Sequence, residues 1–322
     1  GGFGDSEIYM RGFDNSNIAM MVNGVPMNDM EWGGVYWSNW AGLSDVARSI
    51  QTQRGLGASK VSAPSVGGTI NIVTRNLDAK KGGFLSYGMG NDGMNKILFS
   101  VSSGITKNGW AFTLMGGKNW GNGYIQGTAF EGYNWFASIS KRINEEHQLT
   151  LTAFGAPQWH DQRNSSYGGL TIADWKMVET VYGVKDHKYN PTFGYRSNGE
   201  SYNSYRNSYH KPLISLNHQW QINSKSSLST SLYVSLGRGS GFSGQGNTEF
   251  SPYSYTSWRG AYKGTLYDTF RRSDGTFDYA AIEEINRTSE YGSALIAARS
   301  NNSHDWYGLL STYTTKIGQY LD

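Results

Sequence analysis

From about residue 83 the chain alternates between apolar and polar positions. In 95–105, Ile97, Phe99 and Val101 fall on one face and Lys96, Ser100 and Ser102 on the other. In 226–237, Leu228, Leu232, Val234 and Leu236 share a face with Thr230, opposite Ser227, Ser229, Ser231, Tyr233 and Ser235. In 129–142, Tyr133, Trp135, Ala137 and Ile139 alternate with Asn134, Ser138 and Ser140. A period of two is the mark of a strand with one apolar face. The pattern predicts about eight strands, at 83–91, 95–105, 109–119, 129–142, 147–157, 208–221, 226–237 and 304–317. Runs of this length exceed the ~5–6 residues common in soluble proteins. They match the ~9–11 residues needed to cross a bilayer at a tilt.

The connections follow a rhythm. Tight turns fall at Thr106-Lys107-Asn108, Asn144-Glu145-Glu146 and Asn223-Ser224-Lys225, and longer loops at 120–128, 158–207 and 238–303. Short turns on one rim and long loops on the other is the habit of outer-membrane barrels. The turn Asn91-Asp92-Gly93-Met94 is the short exception on the long-loop side. Within the longest loops, Thr171 to Gly183 reads as a capped helix and 278–285 as another.

Residues 1 to about 77 follow a different grammar. Short apolar runs at 8–11, 18–22, 49–53 and 67–74, separated by Gly, Asn and Pro, predict a small α+β unit with a helical turn at 43–47. Asn23-Gly24 supplies the positive φ of a tight hairpin.

Composition narrows the picture. The 322 residues contain 42 Gly, 22 Tyr and 11 Trp but 6 Pro and no Cys, and only 16% are charged. Disulfides, thiolate metal sites and cysteine nucleophiles are excluded. A net charge of +3, spread along the chain, argues against a nucleic-acid partner. No apolar run is long enough for a transmembrane helix, and the mean hydropathy of −0.53 is compatible with a barrel of polar lumen. Neither a nucleophile elbow nor a Walker loop is present, so no enzyme and no cofactor are expected.

The first unit carries ordered motifs. Ile8-Tyr9-Met10-Arg11-Gly12-Phe13 is followed by Val22-Asn23-Gly24-Val25-Pro26, then by Ile50-Gln51-Thr52-Gln53-Arg54-Gly55, Ala58-Ser59-Lys60 and Gly67-Gly68-Thr69-Ile70-Asn71-Ile72-Val73-Thr74-Arg75. This resembles the plug domain of TonB-dependent outer-membrane receptors. Leu56 replaces a usual Pro, Lys60 stands where Leu-Tyr-Gly usually begins, and Asn23 replaces a usual Asp. These departures resemble the divergent Bacteroidetes type more than the iron-siderophore type.

The resemblance implies a mainly β protein. Residues 1–77 would be the C-terminal part of an α+β plug, and 83–322 the first strands of a transmembrane barrel of about 22, with extracellular loops 158–207 and 238–303. It implies an energy-coupling segment before Gly1 and further strands after Asp322. It also implies a Gram-negative outer-membrane location and import of a scarce solute, such as a glycan or metal chelate, by movement of the plug. The partners implied are a TonB-type energy-transducing protein, outer-membrane lipid and a candidate surface lipoprotein. Arg11 and Arg54 stand where the family locks plug to barrel through inward glutamates, alternatively as solvated strand-end arginines. The rival reading is a secreted or surface all-β carbohydrate-binding protein without transport.

Ligand candidates are aromatic. Trp32, Tyr36, Trp37 and Trp40 follow the Asn-Gly turn, at the plug apex of the resembled family. They form either a stacking platform or packing between plug and barrel. Trp159 and His160 begin one long loop, and Tyr202 and Tyr205 lie near its end. No His spacing marks a metal site, and these four are alternatively ordinary loop residues. Trp110, Trp120 and Tyr133 suit an interfacial girdle.

Overall fold

The computed structural model describes all residues except 1–2, 5–6, 56–64, 76, 164–169, 247–260, 263–264, 267, 269, 291, 294 and 318–322. Leu56 and Ala58-Ser59-Lys60 of the closing motif therefore lie outside the described residues, as does part of the 238–303 loop.

The first unit is a four-stranded sheet. Strands β1 (Ile18–Val22), β2 (Val25–Pro26), β3 (Ala47–Arg54) and β4 (Gly68–Thr74) lie in the order β2-β1-β4-β3, with β1 parallel to β4. Asn23 and Gly24, at φ 50° and 81°, turn β1 into β2. The Asn23 amide donates to Thr74 Oγ1 and its carbonyl accepts from Thr74 N, both at 2.9 Å. An aspartate here would lose the first of these bonds. The run 8–11 does not form the expected strand: it makes one isolated bridge, Met10 to Phe13, because Arg11 and Gly12 both take positive φ and turn the chain back. Helix α1 (Leu43–Val46) sits where the sequence placed a helical turn.

The second unit is one antiparallel wall. Its strands are β5 (Gly82–Met89), β6 (Asn95–Ser102), β7 (Trp110–Gly121), β8 (Phe130–Arg142), β9 (His147–Gly155) and β10 (Gln158–Asp161). Between β10 and the next wall strand lie α2 (Ile172–Tyr182) and two short strands, β11 (Phe193–Tyr195) and β12 (Ser201–Asn203). The wall resumes with β13 (Arg206–His210), β14 (Leu213–Gln221) and β15 (Ser226–Gly246). After β16 (Ala261–Tyr262), β17 (Thr265–Leu266), β18 (Phe277–Asp278) and α3 (Tyr279–Thr288), it closes the described chain with β19 (Leu295–Thr315), paired to β15.

Two breaks are caused by proline. Pro157 separates β9 from β10 and Pro212 separates β13 from β14, each removing a ladder donor. Register is unbroken across them: Phe154 lies opposite Leu213 and Gln158 opposite Tyr209. The wall is thus eight strands, as the alternation predicts, with two running further than expected. β15 extends to Gly246 and β19 starts at Leu295, so both ends of 238–303 are wall.

The two faces of the wall differ. Outward rows run Val101, Leu114, Ala137, Ala153, Ile214, Val234, Tyr307 and Phe112, Ile139, Leu151, Leu216, Leu232, Leu309, and most of these large side chains are exposed. A continuous apolar surface of this kind suits a bilayer rather than water. Its margins are aromatic and charged. Lys141 Nζ lies 4.9 Å from the Trp110 ring centroid at one, and Lys118 Nζ lies 5.4 and 5.1 Å from Trp120 and Tyr133 at the other. These are the positions of an interfacial girdle.

The inward row Met115, Phe136, Phe154, Leu213 joins Ile18, Met20, Val22, Trp40, Ile70 and Ile72 of the first unit in a single core. The small sheet therefore packs against the inner face of the wall. Gly42, with φ 84°, precedes α1, and a Cβ there would overlap Asn134 of the wall. Its absence lets Asp45 reach Lys96 Nζ at 2.7 Å and accept from Asn134 Nδ2 at 3.4 Å.

Candidate functional site

The aromatic apex splits into two pairs. Trp40 is buried, 5.6 Å from Phe154 of the wall, and Trp37 is half-buried against the same core. Trp32 and Tyr36 are exposed, their ring centroids 5.1 Å apart and tilted by 55°. The turn beneath them is set by Asp29, whose Oδ1 accepts from Glu31 N at 2.9 Å and Trp32 N at 3.3 Å. This is an Asx-type turn, which short acidic side chains favour.

Trp32 and Tyr36 line a chamber of about 320 Å³. Asp29, Glu31, Ser38 and Asn39 complete its floor. The facing wall supplies Asn207 and Tyr209 from β13 and Asn302, Ser303 and His304 from β19. Three Trp or Tyr rings, the His304 imidazole and several amide or hydroxyl groups converge here, together with two carboxylates, and among the described residues neither lysine nor arginine lines it. Aromatic faces beside amides and hydroxyls suit a polyhydroxylated or flat solute.

The other candidates lie elsewhere. Trp159 belongs to β10, pairs with Glu131 and Ser208 on the outward face, and has the Arg206 guanidinium 4.2 Å above its ring. Its neighbour His160 points inward and is buried; Nδ1 lies 2.8 Å from Gln158 Oε1 and Nε2 lies 3.0 Å from Gln162 Nε2. Tyr205 is buried with Phe277, Tyr279 and Ile282, and Tyr202 packs edge-on to Tyr279 at 4.7 Å. Trp159 and His160 are thus wall residues, while Tyr202 and Tyr205 belong to the core of a loop structure. Arg11 and Arg54 are both exposed and make no ion pair among the described residues.

That loop structure was not foreseen. The connections after β10 and β15 fold together: β11 pairs antiparallel with β12 and parallel with β18, and α2 and α3 flank them. Thr171 and Asp174 form a reciprocal capping box at the start of α2, and Gly183 ends it. Arg196 Nε meets Glu283 Oε1 at 2.6 Å, and Ser197 N donates to Glu283 Oε2 at 2.9 Å. The Ser197 hydrogen bonds, then Arg196, hold the Glu283 carboxyl down to about 2. Tyr279 donates to Thr192 O at 2.5 Å and accepts from Ser204 N at 3.1 Å, and burial raises its hydroxyl pKa. Burial also pushes Tyr189 up to about 12, where Arg271 Nη1 donates to its hydroxyl at 2.6 Å.

Tyr209, Asn302 and His304 were missed as chamber residues. Tyr209 already falls in the strand expected at 208–221, and counting back by twos from Leu213 marks it as inward, but periodicity says nothing of a chamber. Asn302 lay outside the strand expected at 304–317 and His304 only opened it, in a stretch without an apolar face to mark which side is inward.

No family model matches the chain. Over 169 residues it is 25% identical to the vitamin B12 transporter BtuB of Vibrio vulnificus, and over 180 residues 30% identical to BtuB of Photobacterium profundum. These matches cover 50% and 52% of this chain but 27% and 28% of the relatives, so the chain spans under a third of their length. Among solved structures it is similar to the open form of the ferric-catecholate import receptor Fiu of E. coli K12, with a TM-score of 0.59 at 13% identity, over 98% of this chain and 42% of that one. It is also similar to the ferric citrate transporter FecA, with a TM-score of 0.55 at 20% identity, over 75% and 35%.

Proposed function

Starting from a chain whose fold is the plug and barrel of the TonB-dependent outer-membrane receptors, we propose that it captures an extracellular solute in the chamber above the plug and takes part in importing it. The location is the outer membrane of a Gram-negative cell, and the relatives are transporters and receptors rather than enzymes. The observation that carries the reading is the exposed Trp32–Tyr36 pair, set opposite Tyr209, Asn302 and His304. Residues 1–77 act as plug and 83–322 as wall. Trp37 and Trp40 seat the apex, and Trp32 and Tyr36 touch the solute.

With Asp29 and Glu31 lining the chamber and neither lysine nor arginine among the described lining residues, a glycan-like solute or a chelate without net negative charge is favoured over a phosphorylated one. A glycan accords with a receptor of the Bacteroidetes type and with a surface lipoprotein as partner. A TonB-type protein supplies the pull on the plug, and lipid surrounds the outward rows. Arg11 and Arg54 act as the arginines that lock plug to barrel through inward glutamates. Trp159, His160, Tyr202 and Tyr205 support the chamber indirectly, as girdle, wall and cap.

The test is calorimetric titration of the full-length receptor with neutral oligosaccharides and metal chelates. Trp32→Ala and Tyr36→Ala each weaken the binding found, because each removes one ring face from the solute. Binding that survives both substitutions unchanged sinks the reading, as does a detergent-independent soluble receptor. That second result favours the secreted carbohydrate-binding alternative.

A further inference from the structure

Below the chamber, sharing β19 with it, lies a second cavity of about 360 Å³ between plug and wall. Its wall side is formed by Thr150, Asn217, Gln219, Ser229, Ser231 and Thr312, and Asn23, Gln51 and Asn71 face them from the plug. Among the described residues no charged side chain lines it. The wall groups fall in successive inward rows: Gln148, Gln219, Ser229, Thr312, then Thr150, Asn217, Ser231, Leu310.

Two further rows separate this cavity from the upper chamber: Thr152, Ser215, Tyr233, Gly308, then Phe154, Leu213, Ser235, Trp306. Tyr233 and Trp306 meet edge to face at 5.4 Å, and Phe154 and Leu213 pack with them and with Trp40 of the plug. A Cβ at Gly308 would overlap the Tyr233 ring, so glycine is what lets that ring lie across the wall. Among these apolar groups sit two hydroxyls with no hydrogen-bond partner among the described residues: Thr152 Oγ1, in a residue 0% exposed, and Ser235 Oγ, in a residue 1% exposed. Buried hydroxyls are ordinarily satisfied, so an unpartnered pair here calls for a reason.

We propose that the imported solute travels down this face of the wall, along β9, β14, β15 and β19. The Tyr233–Trp306 pair with Trp40 is the seal between the two cavities, and Thr152 and Ser235 are hydrogen-bonding steps through it for an uncharged, hydroxyl-rich solute. The track rests on the receptor reading above. It is continuous from the chamber groups Asn302 and His304 to Thr312 on a single strand. Two hydroxyls left unpaired at rest bond to a passing solute when the rings part, and the charge-free lower cavity offers such a solute hydrogen bonds while giving an ionic one no counter-charge.

The test uses the full-length receptor in cells and needs no knowledge of the natural ligand. Ser231→Cys is labelled with an uncharged, membrane-impermeant maleimide, added outside the cell or to the exposed periplasmic side. Labelling from outside is slow in Ser231→Cys alone and about tenfold faster when Trp306→Ala or Tyr233→Ala is added. Labelling from the periplasmic side is unchanged. Ser86→Cys, on β5 and away from the track, shows whether the plug has merely loosened, and its rate stays constant. In the opened background, Thr152→Val with Ser235→Ala slows passage of a glucosyl-maleimide by about fivefold, the weight of one hydrogen bond, and leaves a plain alkyl maleimide unaffected. Outside labelling that ignores the ring substitutions overturns the track, and so does parallel acceleration at Ser86→Cys. Equal slowing of both maleimides overturns the role of the hydroxyls. Each of these results leaves solute capture at Trp32 and Tyr36 standing, because no apex binding is measured.

Discussion

The outward and inward faces of the wall are built from the same strands, one residue apart, yet they answer to different solvents. Outward, Leu151, Leu216, Leu232 and Leu309 stand in a row across four strands. Inward at the same level, Thr152, Ser215 and Tyr233 meet the plug or the lumen. The outer face must be uniform, because lipid offers no hydrogen bonds. The inner face is varied, apolar where it grips the plug and polar above and below. A one-residue slip would exchange the two faces, so the wall's register carries both the membrane and the site.

Substitutions on the two faces can break this comparison, the largest effect first. Phe136 is 1% exposed in the shared core. Phe136→Ala costs about 3–5 kcal/mol, read as a lowered unfolding midpoint of the full-length receptor in lipid, and a cost below that of Leu216→Ala would erase the distinction between the faces. Leu216→Arg, on the lipid side, costs about 2–4 kcal/mol near mid-bilayer and lowers folding yield into vesicles; arginine at inward Ser229 is tolerated far better. Asp45→Ala leaves Lys96 without its carboxylate and costs about 1.5–3 kcal/mol, seen as earlier proteolysis of the plug while the wall stays protected.

The smallest effect lies outside the membrane. Glu283 has its folded pKa lowered from 4.5 to about 2. Its contribution is therefore present above about pH 4.5 and is lost as pH falls toward 2. Hydrogen exchange at the Ser197 amide should accelerate across that window, and Glu283→Gln should flatten the dependence while leaving the wall unchanged.

How much of this was legible depended on which solvent each segment meets. The lipid-facing half of each strand was plain, because alternation with Leu, Ile and Val has no other cheap explanation. The upper parts of β15 and β19 were hidden. Residues such as Gly239, Ser240 and Gly241 face no lipid and need no apolar face, so they look like loop. Pro157 had the same effect on β10, since a proline in a run reads as an end even where register continues, whereas the strand expected at 208–221 already ran through Pro212. At the site, Trp32 and Tyr36 were visible as part of a ring cluster. Sequence already favoured Trp32 and Tyr36 over Trp37 and Trp40 as ligand candidates, but it could not say what buries the other two, because Phe154 and Leu213 lie far away in the chain. The wall of the chamber, made of Asn, Ser and His with a single Tyr, had no composition that distinguished it from a surface loop.

The parallel pairing of β11 with β18 has a consequence for how the molecule is made. Gly194 lies opposite Phe277, yet β13, β14 and β15 come between them in the chain. Loop closure over such a distance is slow compared with the local hairpins on either side. The loop structure therefore completes only after those intervening strands are in register, and its protection from exchange or protease becomes a clock for wall assembly, readable from outside the cell.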